Sequence, residues 1–343
     1  MKILMVAPMP THPSTAGNRL RILKFAQELI DQGHDVHFMY VALEGEASGE
    51  LKLFWGEQLH VIPAKPIPIR FIKNKLITLA YKLRLQKFIP ERFYRYSIDA
   101  WFNNAWLKHF EELNSRENFD AILLSYAWMS KFFEWTKAHQ LKVLDTHDRI
   151  SKRHHEFLKI GAQPQWFSCV KEEEKKGLER ADCVVAIQDK EAEFFRKLSS
   201  KPVTTVGFPM QAKGLKLDSE PQVLNRLGFF ASKNTVNTDA IHWFLKEMWP
   251  QLIKEKPDLE LLIAGSICSE LVANKNCVLL GWVDNPEEFY NQVSATINPS
   301  RIGTGLKIKS LESVAFGKPV FSTEHALQGF EIFENKGMIP CTS

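Results

Sequence analysis

A chain of 343 residues is longer than one hydrophobic core usually supports, so two domains are expected. Its composition, 45% apolar and 24% charged, is that of a globular protein, and the net charge of +4 is too small to indicate nucleic acid as a partner. No apolar run is long enough to span a membrane, and the N-terminus lacks a signal peptide. Five cysteines without metal-type spacing predict free thiols in a reducing compartment, and so a cytoplasmic protein.

The first half of the chain predicts a parallel α/β domain. Lys2–Ala7 is an apolar strand, Pro8–Gly17 is a loop, Asn18–Gln32 has helical apolar periodicity, and Asp35–Val41 is a second strand. This βαβ order requires a crossover and therefore a parallel sheet. The same alternation continues through further elements: strands at Ala121–Ser125, Val143–Thr146, Val184–Ile187 and Lys201–Val206, and a helix at Glu191–Leu198.

Residues 65–96 differ from the rest of the chain because they carry nine Lys or Arg and a single acid, Glu91. The apolar residues of this segment fall on one side of a helix: Ile69, Ile72, Leu76, Leu79, Ala80 and Leu83. Two interpretations remain open. The helix packs on its own domain through this apolar stripe, or it lies on an anionic membrane surface or polyanionic acceptor.

The second half predicts another α/β domain. It contains the strands Arg226–Ala231, Leu259–Ala264, Val278–Leu280 and Ala295–Ile297, and the helices Asn237–Lys254 and Pro286–Val293. The predicted domains are residues 1–206 and 223–343, joined by a linker at 207–222. The fold class is therefore α/β, with two Rossmann-like doubly wound domains facing a cleft.

The segment from Pro299 to Val320 predicts a strand end, a glycine loop and a helix that ends near Gly317. Gly303 and Gly305 allow a ligand to approach the backbone, and a helix start favours a phosphate. At helical spacing, Gly305, Lys309 and Glu312 would share one face, with Glu312 about 10 Å along the axis from the loop. This spacing suits a diphosphate at the loop and a ribose at the carboxylate. An ordinary glycine turn before a buried helix is the alternative.

Two other strand ends could bind a ligand, since ligands bind at the carboxyl ends of parallel strands. In the loop at 11–20, Gly17 could approach a phosphate and Arg19 could offer a cation, although a simple helix-capping turn is equally consistent. After the strand at 143–146, His147 lies in a polar cluster and could supply a hydrogen bond or a proton, although a structural histidine is the simpler interpretation.

Other motifs are uninformative or missing. The charged run at 172–182 is predicted to be a solvated helix face without chemistry. The chain has no GxGxxG after its first strand, no P-loop, no HExxH and no CxxC pair, so neither a dinucleotide cofactor nor a metal is indicated. Arg301 and Lys307 flank the glycine loop and could neutralise a leaving diphosphate instead.

The stretch Gly303-Thr-Gly-Leu-Lys-Ile-Lys-Ser-Leu-Glu-Ser-Val-Ala-Phe-Gly-Lys-Pro-Val320 resembles the signature of retaining GT-B glycosyltransferases of the glycogen-synthase-like group, family 4. Asp145-Thr-His-Asp148, residues 180–191 and residues 237–244 fit a bacterial polysaccharide or lipopolysaccharide branch of that group. Gly281-Trp-Val-Asp284 is similar to the family's short turn before the donor loop.

The resemblance implies a UDP- or GDP-linked sugar donor bound mainly by the second domain, and a glycan or lipid-linked acceptor bound by the first. It implies no other cofactor. Transferred by motif, Glu312 would hold the ribose, and His147 would lie near the sugar. His147, Lys309 and Glu312 are the predicted catalytic residues. The diphosphate and sugar would be contacted by the glycine loop and neighbouring groups: Gly17, Arg19, Lys233, Arg301, Gly303, Thr304, Gly305, Leu306, Lys307 and Lys309.

Three departures from the family pattern weaken the inference of activity. Thr304 occupies a position where the family often has a second glutamate. Only Lys233 matches the usual basic pair after the first strand of the second domain. The family continues through further helices beyond the position of Ser343, so a truncated chain is expected. The alternatives are a sugar-nucleotide epimerase and a non-catalytic nucleotide-sugar-binding or assembly subunit.

Overall fold

The computed structural model describes residues 1–14, 16–64, 68–212, 225–272 and 274–341, without the side chains of 68–72. The chain forms two compact units, Met1–Phe208 and Pro209–Ser343. Of the predicted linker at 207–222, residues 213–222 lie outside the described part. Within that part, no helix is long and apolar enough to cross a membrane.

The N-terminal unit is a parallel sheet flanked by helices. Its strands are β1 Lys2–Ala7, β2 Asp35–Ala42, β3 Leu59–Pro63, β4 Ala121–Ser125, β5 Leu141–Asp145, β6 Cys183–Ala186 and β7 Val203–Thr205. Its α-helices are α1 Gly17–Asp31, α2 Gly49–Trp55, α3 Pro68–Lys82, α4 Ala105–Glu117, α5 Arg153–Lys159, α6 Lys171–Glu179 and α7 Asp189–Leu198. The strand order is β3-β2-β1-β4-β5-β6-β7, and every pair is parallel.

The central strands of this sheet are buried on both faces, which explains their nearly unbroken apolar sequences. Leu4 and Val6 of β1 contribute to the core on one face, whereas Ile3 and Met5 contribute to the core on the other. The alternation follows from the two-residue repeat of a strand. The sheet therefore has two hydrophobic layers, and its strand order reverses between β1 and β4.

The C-terminal unit repeats this plan. Its strands are β8 Arg226–Phe230, β9 Glu260–Ala264, β10 Cys277–Gly281, β11 Ala295–Asn298, β12 Val320–Ser322 and β13 Met338–Pro340. Its α-helices are α8 Thr235–Trp243, α9 Trp249–Glu255, α10 Pro286–Tyr290, α11 Ile308–Ala315 and α12 Glu324–Leu327. The order β10-β9-β8-β11-β12-β13 is again fully parallel, with its reversal between β8 and β11. Both units thus have the doubly wound arrangement predicted from the sequence.

The helix predicted at Asn237–Lys254 is not uniform. A π-helical turn, Phe244–Met248, separates α8 from α9. Pro250 lies at the beginning of α9 and has no N–H for the regular α-helical hydrogen bond, and its ring would crowd the carbonyl of Lys246. The wider turn removes that conflict while the helix continues.

The charged run at 172–182 was predicted to be a solvated helix face. The structure shows that one of its side chains is buried. In α6, Glu174 is fully buried, and its carboxylate accepts the backbone N–H groups of Ile150 and Ser151 at 2.8 and 3.1 Å. Burial raises the pKa of Glu174. The prediction fails here because the partner of the side chain is a loop more than twenty residues away, which helical periodicity cannot reveal.

Candidate functional site

The reversal between β8 and β11 positions two loops side by side in the C-terminal unit. In doubly wound sheets, ligands bind at the carboxyl ends of the strands next to such a reversal. The loop after β8 contains Lys233, and the loop after β11 contains Gly303 and Gly305. The topology thus brings together two segments that are far apart in the sequence and contain predicted ligand contacts.

The glycine loop is held by internal hydrogen bonds. Gly303 and Gly305 have φ angles of +107° and +75°, which side-chain-bearing residues rarely adopt. The Lys307 ammonium, in a residue only 9% exposed, donates to the Gly303 and Gly305 carbonyls at 3.0 and 3.2 Å. On the same Gly303 carbonyl, His325 Nε2 lies at 2.9 Å. Lys307 was predicted to contact a phosphate. In the structure its ammonium is hydrogen-bonded to the loop backbone.

Helix α11 begins at Ile308, later than predicted, because the two positive φ angles keep Gly305 out of the helix. The expected alignment of Gly305 with Lys309 and Glu312 on one helix face is therefore wrong. Lys309 and Glu312 do lie three residues apart on α11. No side chain caps the start of this helix, so its first N–H groups remain suited to a phosphate.

Buried hydroxyl and amide groups attach α11 to β11. Asn298 Nδ2 donates to Ser310 Oγ at 2.7 Å, and Thr296 Oγ1 lies 2.6 Å from Ser313 Oγ. All four residues are at most 5% exposed. Since unpaired buried polar groups are costly, these contacts fix the position of the helix relative to the sheet.

We expect Ser310→Ala to destabilise the C-terminal unit by about 1–3 kcal/mol, because it leaves the Asn298 amide buried without its acceptor. Urea denaturation followed by circular dichroism measures this change. Ser269→Ala is the matched control, since that exposed hydroxyl donates to the Ser266 carbonyl. Equal stability of the two variants would contradict the proposed anchoring role.

Lys309 lies against polar and aromatic groups at the base of the loop. Its ammonium is 2.5 Å from Asn237 Oδ1 and 5.2 Å from the centre of the Phe229 ring. It lines a small cavity together with Tyr290 and Asn298. Burial, reinforced by the positive charge of Lys307, lowers the pKa of Lys309 to about 7. Lys309 can therefore gain or lose a proton near neutral pH.

Glu312 is partly exposed, and its Oε2 accepts a hydrogen bond from the Tyr290 hydroxyl at 3.3 Å. Tyr290 is 1% exposed and stacks on Phe316 with ring centres 4.4 Å apart. Burial and the neighbouring Glu312 carboxylate raise the pKa of Tyr290 well above its usual value. The neutral phenol thus orients one carboxylate oxygen.

The other candidate residues of this unit have diverse surroundings. Arg301 forms an ion pair with Asp239 at 2.8 Å and lies 5.1 Å from the centre of the Trp243 ring. Lys233 forms an ion pair with Glu270. Leu306 packs against the apolar cluster around Val320 and Leu327. Thr304, between the two glycines, is partly exposed.

In the N-terminal unit, the loops after β1 and β4 lie beside the corresponding reversal. Gly17 is the first residue of α1, and no side chain caps this helix start. The next residue, Asn18, donates to the Tyr126 hydroxyl at 3.1 Å and so joins the two loops. Arg19 pairs with Glu44 at 2.7 Å.

His147 lies at the end of β5 and is 6% exposed. Its ring stacks on Tyr126 at 4.2 Å, and both residues have positive φ angles, +59° and +74°. Such backbone strain is concentrated at functional sites. Burial lowers the pKa of His147 despite the nearby Asp145 carboxylate, at 3.3 Å from Nε2. The imidazole is therefore neutral at physiological pH.

A buried ion pair beneath His147 was not anticipated. Arg21 Nε and Nη2 donate to the Asp145 carboxylate at 2.9 and 2.8 Å, and Nη1 donates to the Gly207 carbonyl at 3.0 Å. Although burial opposes its ionisation, the Arg21 guanidinium and a hydrogen bond from the His147 backbone hold the pKa of Asp145 below its usual value. The sequence offered one indication of this pair: Arg21 lies among the apolar residues of the helix predicted at 18–32.

One group of side chains in the described part of the chain is close enough together to hold a metal ion: Glu91, His154 and His155. Glu91 Oε1 lies 3.2 Å from Nε2 of both histidines, and His154 Nδ1 lies 2.7 Å from Ser168 Oγ. Direct hydrogen bonds account for this arrangement. It involves none of the predicted site residues.

Comparison with known proteins supports the motif assignment. Residues 225–339 match the family model described as glycosyl transferases group 1. An uncharacterised 44.6 kDa protein of the cps region of Klebsiella pneumoniae is 31% identical over 105 residues, a match that spans 27% of each chain.

Several solved structures share the fold. Sucrose-phosphate synthase from Thermosynechococcus elongatus aligns over 100% of this chain and 87% of its own, with TM-score 0.64 and 14% identity. A variant of S. aureus TarM, in complex with fondaparinux, α-GlcNAc-glycerol and UDP, aligns over 100% and 90%, with TM-score 0.63 and 10% identity. Anabaena HepE with UDP and glucose aligns over 94% and 81%, with TM-score 0.59 and 14% identity. The C-terminal unit thus matches the group 1 glycosyltransferase family over residues 225–339, and the chain as a whole has the GT-B fold.

Proposed function

We propose that this protein is a retaining glycosyltransferase that moves a sugar from a nucleotide-sugar donor to a glycan or lipid-linked acceptor in cell-surface polysaccharide synthesis. The observation that carries the proposal is the rigid glycine loop at the strand reversal of the C-terminal unit, followed by an uncapped helix with Lys309 and Glu312. These features match the chemical groups of a nucleoside diphosphate sugar.

In this proposal the donor diphosphate lies at the Gly303–Gly305 loop and the start of α11. Lys309 supplies positive charge to the departing diphosphate, which stabilises the transition state electrostatically. Lys307 contributes indirectly, since its ammonium donates to the Gly303 and Gly305 carbonyls and so holds the conformation of the loop. Because protein groups supply the charge, the reaction is metal-independent.

Glu312 holds the donor ribose, with its carboxylate oriented by Tyr290. Two acceptor oxygens on one carboxylate suit a pair of adjacent hydroxyls, and hydrogen bonds to a charged group are stronger than neutral ones. Thr304 offers a hydroxyl to the sugar. Arg301 and Lys233 would have to leave Asp239 and Glu270 to contact phosphate, so we assign them smaller roles.

The N-terminal unit binds the acceptor in this proposal, and its strained Tyr126–His147 pair lies near the transferred sugar. A neutral His147 can donate or accept a hydrogen bond to a sugar hydroxyl without placing a charge beside the reacting carbon. Gly17, at the start of α1, approaches the phosphate through its backbone.

The relatives indicate which ligands to test first. UDP is bound in the TarM and HepE structures, and the Klebsiella relative comes from a capsule region. We therefore propose a UDP-linked hexose as the donor, with GDP sugars as the alternative, and a cytoplasmic site of action.

Thermal unfolding with a panel of nucleotide diphosphates and nucleotide sugars tests the donor site. We expect UDP sugars to raise the melting temperature by several degrees at saturating ligand. Glu312→Ala should lower the affinity for that nucleotide sugar by roughly thirty-fold. This is the equivalent of about 2 kcal/mol, the contribution of a charge-assisted hydrogen bond. Glu288→Ala, an exposed glutamate of the same unit, is the matched control.

Product analysis then separates the possible activities. Transfer to a lipid-linked or oligosaccharide acceptor, with the anomeric configuration kept, is the expected result. Conversion of the donor without an acceptor would identify an epimerase instead. Tight donor binding without turnover in the presence of a broad acceptor panel would identify a non-catalytic subunit, and no nucleotide binding at all would refute the site.

A further inference from the structure

Helix α3 is attached to the N-terminal unit by one side. Ile77 is 6% exposed, and the Tyr81 hydroxyl donates to the Ala162 carbonyl at 3.1 Å. The Lys73 ammonium donates to the Arg95 carbonyl at 3.1 Å and lies 3.8 Å from the centre of the Tyr96 ring. These contacts define the packed side of the helix.

The predicted apolar stripe lies on a different side, and its described leucines are more than half exposed. Leu76, Leu79 and Leu83 are 60%, 52% and 58% exposed. Spaced at i, i+3 and i+7, they form one continuous row along the helix. For these three leucines, the expectation that the stripe attaches the helix to its own domain is wrong. Ile77 and Tyr81 attach the helix instead. The predicted stripe members Ile69 and Ile72 fall among the residues with undescribed side chains.

Positive charge borders the exposed row. Lys75 and Lys82 are exposed and lie seven residues apart, next to Leu79 on the helix surface. The following residues add further exposed cations: Arg84, Lys87 and Arg92. The single acid of the segment, Glu91, is engaged by His154 and His155 at 3.2 Å. An anionic partner would therefore meet little opposing negative charge.

Exposed aromatic side chains follow the helix. Phe88 is 70% exposed and Phe93 is 40% exposed. Lys87 and Arg92 lie 5.2 and 5.9 Å from the centres of these two rings. Aromatic rings beside cations are typical of segments at the boundary between lipid headgroups and acyl chains.

We propose that residues 75–93 form a docking surface for a membrane that contains anionic lipids. The leucine row and the two phenylalanines enter the boundary of the acyl chains, while the lysines and arginines contact headgroup phosphates. The segment lies on the bilayer and does not span it. A second copy of the chain is disfavoured as the occupant, because two such surfaces would bring like charges together.

The surface would hold the protein where a lipid-linked acceptor is found. The inference goes beyond the proposed function and does not depend on it, since the observations that support it concern only exposure and charge in α3 and the segment after it.

Flotation with vesicles of neutral phosphatidylcholine, with and without phosphatidylglycerol, tests the proposal without nucleotide or acceptor. We expect binding to the anionic vesicles only, weakened by salt because exposed charges are screened. The triple variant Lys82→Glu/Lys87→Glu/Arg92→Glu tests the cations. Each cation removed should lower the membrane affinity roughly five-fold, so the three together should lower it by at least about a hundredfold. Leu76→Ser/Leu79→Ser/Leu83→Ser should abolish it at any salt concentration.

Matched controls carry the same substitutions elsewhere. Leu53→Ser/Val272→Ser/Ile332→Ser removes three exposed apolar side chains, and Lys108→Glu/Lys246→Glu/Lys254→Glu reverses three exposed cations. Both controls should bind as the unmodified chain does. Circular dichroism checks that every variant is folded.

Three outcomes would overturn the proposal. They are no binding to anionic vesicles at low salt, equal losses in the test and control variants, and a concentration-dependent dimer that the leucine variant abolishes in the absence of lipid. The last result would identify the surface as a contact between copies of this chain. None of these outcomes bears on donor binding, which is measured separately.

Discussion

Replacement of Arg21 with methionine is expected to destabilise the N-terminal unit by about 3–5 kcal/mol, because it leaves the Asp145 carboxylate buried without its partner. Arg21 and Asp145 side chains are 1% and 2% exposed, and two guanidinium nitrogens contact the carboxylate. The Gly207 carbonyl loses its donor as well.

Hydrogen exchange of the β1, β4 and β5 amides measures this loss within the N-terminal unit. Arg19→Met is the control from the same helix: its pair with Glu44 is partly exposed and is worth at most about 1 kcal/mol. Arg21→Met/Asp145→Asn should recover part of the loss, since the buried charge is then removed. If Arg21→Met were no worse than Arg19→Met, the pair would not be a structural requirement.

The affinity for a nucleoside diphosphate is expected to fall by roughly tenfold per pH unit between about pH 7.5 and 9, because Lys309 must be protonated to meet the phosphates. Its pKa in the free protein is about 7. A bound diphosphate raises the pKa of Lys309, so binding takes up a proton. The favourable contribution is therefore complete below the pKa of the free protein and is lost as the pH rises above it.

Calorimetry at pH 8 in buffers of different ionisation enthalpy measures this proton uptake, with nearly one proton per bound nucleotide as the expected value. Lys309→Met should bind weakly and without this pH dependence. Lys246→Met, at an exposed position of the same unit, should retain the behaviour of the unmodified chain. Uptake of a full proton by Lys309→Met would assign the titration to another group.

Local patterns in the sequence were sufficient to predict ten of the thirteen strands, but not β3, β12 and β13. Lys2–Ala7 and Ala121–Ser125 were predicted with the observed bounds, and β11 and α11 were located to within a few residues. A strand buried on both faces is apolar along its whole length. The two glycines before α11 indicate a loop with positive φ angles. These features depend on neighbours in the chain, which is why the sequence displays them.

Partners far apart in the chain were decided by the tertiary structure alone. Nothing near Arg21 in the sequence points to Asp145, 124 residues away. Likewise, the direction of the Lys307 ammonium, toward the loop carbonyls, follows from the loop conformation and not from its residue type.

The sequence by itself determined that two α/β units are present, that a glycine loop precedes a helix with Lys309 and Glu312, and that residues 65–96 are strongly basic. The tertiary structure decided which side of α3 is packed, and so exposed the leucine row instead of burying it. Periodicity defines the sides of a helix, but the side that is buried depends on what the rest of the chain places against it. In α3, the side that carries Lys73, Ile77 and Tyr81 is the one packed against the N-terminal unit.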